Sequence, residues 1–234
     1  MKERPIIFSG DMVRAILDGR KTQTRRIVKP ARERSGSGCE LAPCEIAGEI
    51  NSGDYTLCPY GKPGDRLWVR ETWRPHAPEM CGIDNSSINY RADDYHWLLQ
   101  TKEEADLWLE ARRPEEQWPQ MLVPKWRPSI HMPRWASRLA LEVTGVRVER
   151  VQDISDSDAT AEGLQIFNED GNLYYSGLES DPETWFTNLA AWHCDDPIAA
   201  YRDLWERING PGSWERNDWV WVVEFKVINP APGI

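Results

Sequence analysis

The chain has no run of the roughly 20 consecutive apolar residues that a bilayer crossing needs. Its first residues, Met1-Lys2-Glu3-Arg4-Pro5, lead into no long apolar stretch, so no secretory leader is expected and the chain is expected in the cytosol. It lacks a Gly-x-Gly-x-x-Gly, a phosphate loop and any strand–helix alternation, which argues against the nucleotide-cofactor folds. No internal repeat is present. Cysteine is sparse and odd in number, at 39, 44, 58, 81 and 194, and in a reducing compartment these stay thiols. Cys39, Cys44 and Cys58 contain no Cys-x2-Cys pair; with His76 or Cys81 they make only a weak zinc set. His193-Cys194 has no second histidine or acid placed by sequence to activate the thiol. No metal or organic cofactor is expected.

What the chain does hold is tryptophan, 13 in 234 residues. Rings that large are costly to leave wet, so most belong in a core or a cleft wall. The length suits one domain with insertions. Net charge is −10, which argues against a general polyanion binder. The charge is uneven. Residues 1–34 carry ten Lys/Arg against four acids, a net of +6, leaving −16 on the other 200. A basic patch on an acidic body fits a small or short anionic ligand better than a long duplex, unless those basic residues are simply solvated.

Patterning predicts a short strand at Pro5–Phe8, then a helix from Met12 to Leu17 capped by Asp11 and ended at Gly19. Residues 21–28 read as a turn feeding a strand. Residues 30–64 read as irregular. A strand follows at 66–73, with Leu67, Val69 and Glu71 on one face and Trp68, Arg70 and Thr72 on the other. Residues 74–125 read as an insertion with a helix over about 102–113. The Pro-interrupted run 126–135 excludes a regular helix. A long strand over 138–151 carries a kink or bulge at Gly145. Ser155 caps a short helix ending near Glu162, with Gly163 as terminator. Residues 165–195 read as another insertion. Asp196-Pro197 opens a helix to Ile208 whose buried stripe is Ile198, Tyr201, Leu204, Trp205 and Ile208. A last strand covers 219–225. Short strands with a few helices point to a mixed β-barrel of the α+β class with peripheral helices.

Three segments carry most of the chemistry: Ile16-Leu17-Asp18-Gly19-Arg20-Lys21-Thr22-Gln23-Thr24-Arg25-Arg26, Pro63-Gly64-Asp65-Arg66-Leu67-Trp68-Val69, and Asp158-Ala159-Thr160-Ala161-Glu162-Gly163. In order and spacing they resemble the ASCH family. The runs Arg-Lys-Thr-Gln-Thr-Arg-Arg and Ile-His-Met-Pro-Arg-Trp-Ala-Ser-Arg are similar to prophage-encoded members. The resemblance covers about half the chain, near 1–30, 60–73, 138–165 and 196–228. It implies a single PUA-like domain over 1–234, with insertions at about 30–60, 74–125 and 165–195. Members that remove acetyl from N4-acetylcytidine use a Lys, a Thr three residues later, and a Glu on the later short helix. The motif places these at Lys21, Thr24 and Glu162.

Amide hydrolysis needs a nucleophile, a base, an acid for the leaving amine and a charge stabiliser. Arg20, Arg25 and Arg26 lie close enough in sequence to favour a neutral Lys21. Residues 21 and 24 face opposite sides of a straight strand, so they converge only through a turn. Trp126, Arg127, His131, Arg134, Trp135 and Arg138 interleave rings with guanidinium groups, as base stacking and phosphate contact require; Trp68, Arg70 and Trp73 are candidates for the same wall. The alternative is a packing segment whose arginines reach solvent. The expected partner is a modified nucleoside or a short single-stranded RNA, with no membrane and no oligomeric state read from sequence. Binding without turnover, or RNA cleavage in the same cleft, are the competing functions.

Overall fold

The computed structural model describes residues 1–32, 40–76, 87–98, 125–177 and 194–229. The first half holds β1 (Glu3–Ile7), α1 (Gly10–Leu17), β2 (Gln23–Ile27), β3 (Ala31–Arg32), β4 (Glu40–Leu41), α2 (Pro43–Asn51) and β5 (Arg66–Arg70). Then come β6 (Trp73–His76), β7 (Ser87–Tyr90), β8 (His96–Leu98), β9 (Ala140–Arg150), α3 (Asp156–Ala161), β10 (Gln165–Glu169), β11 (Asn172–Ser176), α4 (Pro197–Asn209) and β12 (Trp219–Asn229). None of the described helices is long and apolar enough to cross a membrane.

The two longest strands, β9 and β12, pair antiparallel and organise a five-stranded sheet in the order β1-β5-β9-β12-β2. Leu67 and Val69 of β5 are sealed on one face, as their alternation predicts, and Glu71 just beyond the strand is sealed with them. The class is mixed α+β, as expected. Among the described residues no sheet closes into a barrel: β1 and β2 are edges, with no ladder between them. Pro5 in β1 has no N–H to offer such a ladder. One side chain bridges the edges instead. Arg26 Nη2 donates to the Ile7 carbonyl at 2.7 Å. The bulge falls where Gly145 announced it, with Glu224 opposite Gly145 and Phe225 opposite Val143. A Cβ at Gly145 would stand 2.6 Å from Glu224 Oε2.

Several expectations need correction. α1 is capped by Ser9, whose hydroxyl accepts from Met12 N–H; Asp11 lies inside the first turn and pairs with Arg14. Gly19 follows with φ 74°. Residues 30–64 are not all irregular. Pro43 at the start of α2 and apolar residues at 46, 47 and 50 build a helix whose inner face is buried. Its first turn is fastened by Glu45, which accepts from Ala42 N–H at 2.7 Å. The span 74–125 contributes β7 and β8, which join β6 in a three-stranded sheet; the helix expected over 102–113 lies outside the described residues. The span 165–195 contributes the hairpin β10–β11. α4 is capped by Asp196 as expected, but Ile208 is 49% exposed and Ala200 takes its place among the buried residues.

The main core gathers Ile6, Val13, Ile46, Leu67, Val143 and Val223 between the sheet and its helices. A smaller core holds Trp73, Ile88, Tyr90, Met132 and Ala136. Beside it Arg138 binds Glu71 in a two-pronged contact, Nε to Oε1 and Nη2 to Oε2, both at 2.9 Å. The same guanidinium donates twice to Asp93 at 2.8 Å and stands 4.2 Å over the Tyr90 ring. Burial pushes the Glu71 carboxyl up, against the pull of Arg138. Removing one partner of such a pair strands the other in a dry interior. Arg138→Ala is expected to cost about 3–5 kcal/mol, read as a melting temperature lower by roughly 10 °C. An unchanged melt would show that Glu71 does not depend on Arg138.

Candidate active site

The chain leaving α1 reaches β2 by crossing the C-terminal end of α3. Lys21 N–H donates to the Ala15 carbonyl and Thr22 N–H to the Ala161 carbonyl, both at 2.9 Å. This seats Lys21 against Glu162 as an isolated antiparallel bridge. The approach is close enough to demand glycine at 163, where φ is 97° and a Cβ would meet Lys21 Cβ at 2.9 Å and Ala15 Cβ at 3.0 Å. Arg20 fastens the crossing from outside, donating to the Gly163 carbonyl and to Asp18, both at 2.8 Å.

Ser155 caps α3 by accepting from Asp158 N–H. Asp158 and Glu162 are four residues apart, so both carboxylates project from one side of the helix. Lys21 Nζ donates to Glu162 Oε2 and to the Glu162 carbonyl, each at 2.8 Å. Arg25 Nη1 takes the other carboxylate oxygen at 3.1 Å. Arg25 Nη2 reaches Glu149 at 2.7 Å and Asp158 at 3.0 Å. Arg147 closes the network through Glu149, Asp158 and Glu224. Three cations and four carboxylates thus interlock between the sheet and α3. The Tyr201 ring of α4 lies 5.8 Å from the Arg25 guanidinium.

Lys21 and Thr24 are each 2% exposed and Glu162 is 4%. Burial, opposed by Glu162 and reinforced by Arg26 and Arg25, draws the Lys21 ammonium below the ordinary lysine value of 10.5. Burial holds the Tyr201 hydroxyl well above the ordinary tyrosine range, so it stays protonated.

Thr24 is placed differently from its neighbours. In β2, Gln23 and Arg25 face α3, where Gln23 Nε2 donates to the Asp158 carbonyl at 2.7 Å. Thr24 pairs in register with Val223 and so faces the opposite side, which also carries Phe225. Phe225 packs on Phe8 at 6.1 Å between ring centroids, and Lys21 Nζ stands 5.9 Å from the Phe8 ring. The Lys21 ammonium and Thr24 therefore border the same aromatic patch. Among the described residues Thr24 Oγ1 makes no hydrogen bond. Direct contact joins Lys21, Glu162 and Arg25; Thr24 lies on the other face of β2, in register with Val223.

The other sequence candidates are dispersed. Arg26 spans β2 to β1 with its guanidinium 5.4 Å from the Phe8 ring. Trp68 is buried beneath Arg70. In the run 126–138, Met132 and Ala136 enter the smaller core, Trp135 meets Trp73 edge-on at 5.9 Å, and Arg138 turns inward. Arg134 is exposed and grips Glu3 with two bonds of 2.8 and 2.9 Å; His131 is exposed. Cys44 is exposed on α2 and Cys58 is buried. Among the described residues no three His, Cys, Asp or Glu side chains gather as metal ligands; Cys39, Cys81 and His193 lie outside them. Glu149, Arg147 and Tyr201 are members that sequence reasoning missed, and Asp158 opened the third segment without a role of its own. Only Asp158 left a local signal, its four-residue offset from Glu162.

Comparison with family models, curated proteins and solved structures found no match to this chain.

A double-mutant cycle tests the network. Glu162→Gln is expected to cost about 3–5 kcal/mol, because two buried cations lose their shared counter-charge. Lys21→Met/Glu162→Gln is expected to be more stable than the sum of the single variants by at least about 1 kcal/mol in denaturant unfolding. Additivity would show that the two side chains are energetically independent.

Proposed function

We propose that this chain is an ASCH-family protein, its open sheet a variant of the PUA-like barrel, and that it hydrolyses the acyl amide at N4 of a cytosine nucleoside or a related modified base. The observation that carries this reading is the buried contact of Lys21 Nζ with Glu162 Oε2 at 2.8 Å, three residues before the equally buried Thr24. A lysine acts as a base only as the free amine. A site that lowers its affinity for the proton enriches that form.

In this mechanism the neutral Lys21 amine takes the Thr24 Oγ proton as Oγ attacks the acyl carbonyl carbon. The tetrahedral oxyanion develops in the field of Arg26, whose guanidinium shares the Phe8 ring with Lys21. Collapse breaks the carbon–nitrogen bond. The departing N4 takes back the proton from the Lys21 ammonium, with Glu162 holding that ammonium in line. Water then attacks the Thr24 ester, giving the carboxylic acid and restoring the hydroxyl. The products are the unmodified cytosine and one carboxylate, and no metal is required. Trp68, Arg70, His131, Arg134 and Trp135 take no part in the hydrogen bonds and ion pairs of the Lys21–Glu162 centre; Arg70 is tied to Phe8 through its backbone carbonyl alone.

A second reading is a module that binds RNA or a modified nucleotide without turnover. It is favoured by Lys21 Nζ already donating to two Glu162 oxygens, and by the lack of a bond from Lys21 to Thr24. The two readings separate in one assay. The hydrolase should release acetate from N4-acetylcytidine. Lys21→Ala, Thr24→Ala and Glu162→Gln should each lower kcat by roughly 10²–10⁴. Because the free amine is the active form, kcat/KM should rise with pH along a limb centred below 10.5. Absence of acetate release, with affinity for cytidine retained, would favour the binder. Full activity in Thr24→Ala would remove the nucleophile from the scheme.

A further inference from the structure

Glu162 is one carboxylate shared by two buried cations. Lys21 Nζ donates to Oε2 at 2.8 Å and Arg25 Nη1 donates to Oε1 at 3.1 Å. The Arg25 side chain is wholly buried and those of Lys21 and Glu162 nearly so, so water screens little of what passes between them. The two cations differ in one respect. A guanidinium keeps its proton at any pH a protein meets, whereas an amine can give its proton up. A carboxylate that faced Lys21 alone would favour the ammonium and offset the cost of burying it. Arg25 claims part of that carboxylate permanently. The Lys21 ammonium is then the second positive charge on a single negative one, and less of the cost of its burial is offset.

Arg25 is itself held from behind. Its Nη2 donates to Glu149 at 2.7 Å and to Asp158 at 3.0 Å, and the Tyr201 ring of α4 lies 5.8 Å from its guanidinium. Glu149 and Asp158 also bind Arg147, which continues to Glu224. Of the other groups around Lys21, Arg26 works against the ammonium through space from the Phe8 side. Arg20 and Asp18 pair with each other outside the crossing. Burial pushes up the hydroxyls of Tyr60, near Arg26, and of Tyr201, so neither contributes charge near neutral pH. Among the described residues Arg25 is the one other cation that touches the counter-ion of Lys21.

We propose that Arg25 is a positioning residue for the reaction: it occupies one oxygen of Glu162 so that this carboxylate cannot wholly retain the Lys21 proton, while Glu149 and Asp158 set how much of the Arg25 charge Glu162 receives. This rests on reading Lys21 as the base that activates the Thr24 hydroxyl. The proton transfer is thereby governed by acids on β9 and α3 that make no bond to Lys21.

NMR titration of the full chain labelled with carbon-13 lysine reads the Lys21 amine directly, its signal assigned by its loss in Lys21→Arg. The parent chain should titrate below 10.5. Arg25→Gln removes a positive charge beside the ammonium and frees the second Glu162 oxygen. Both changes favour the ammonium, so the midpoint should rise by about one pH unit. Arg25→Lys keeps a charge among the same three carboxylates and should leave the midpoint close to that of the parent chain. Glu149→Gln leaves more of the Arg25 charge to Glu162 and should lower the midpoint; it decides the matter if Arg25→Gln does not fold. A midpoint that stays or falls in Arg25→Gln, rises as far in Arg25→Lys, or stays or rises in Glu149→Gln overturns the role of Arg25. The rising limb of kcat/KM should follow the Lys21 midpoint from variant to variant. A limb that stays while the midpoint moves overturns the base reading of Lys21, and the role of Arg25 in the reaction with it. The titration needs no turnover, so an absence of acetate release in the parent chain counts against the hydrolase, not against the control of the Lys21 proton by Arg25.

Discussion

The centre of this protein depends on one buried ion pair. Lys21 and Glu162 stand 141 residues apart in sequence and meet at 2.8 Å where almost no water reaches. Desolvating two charges is expensive, and their attraction offsets it only when the remaining donors and acceptors are satisfied. Arg25 satisfies the second oxygen of Glu162, and the Glu162 carbonyl takes another Lys21 N–H. The surrounding backbone is committed to this contact. Gly163 exists to let the two segments approach, and Arg20 ties them from outside. Burial weakens the grip of the Lys21 amine on its proton, against the pull of Glu162, which links the packing of the fold to the chemistry proposed for it.

The arrangement also separates two environments across β2. One face meets α3 and is densely charged. The other meets Phe8, Phe225 and Val223 and is apolar. Lys21 precedes the strand and serves both: its ammonium bonds to Glu162 and borders the aromatic patch that Thr24 shares. Phe8 is tied to β5 by its N–H, which donates to the Arg70 carbonyl at 3.2 Å.

Local rules made a good part of this legible. The short helix after Ser155, the turn residues Gly19 and Gly163, the bulge at Gly145 and the Asp196 cap all follow from capping and backbone sterics within a few residues. The meeting of Lys21 with Glu162 was foreseen from motif order, not from geometry. What stayed hidden depends on register between distant strands. Nothing local tells that Glu149 and Arg147 on β9 sit across Val220 and Val222 from β2, or that Tyr201 caps Arg25. Arg138 sits in an aromatic, basic run that reads as a binding wall, yet Glu71 and Asp93 draw it inward. α2 was masked by the polar, glycine-rich stretch around it, although Pro43 and its apolar spacing announce a helix. The open sheet could not be read at all, because closure depends on whether the edge strands pair.

The central claim is that Thr24 attacks the acyl group while the Lys21–Glu162 pair manages its proton. Acid-quenched mass spectrometry of the protein after mixing with N4-acetylcytidine examines this directly. The account predicts one acetyl group on the peptide containing Thr24, formed within the first turnover and absent when Lys21 is replaced by methionine. Acetate release with no acetyl group ever detectable on Thr24, or an acetyl group on a different residue, would contradict it.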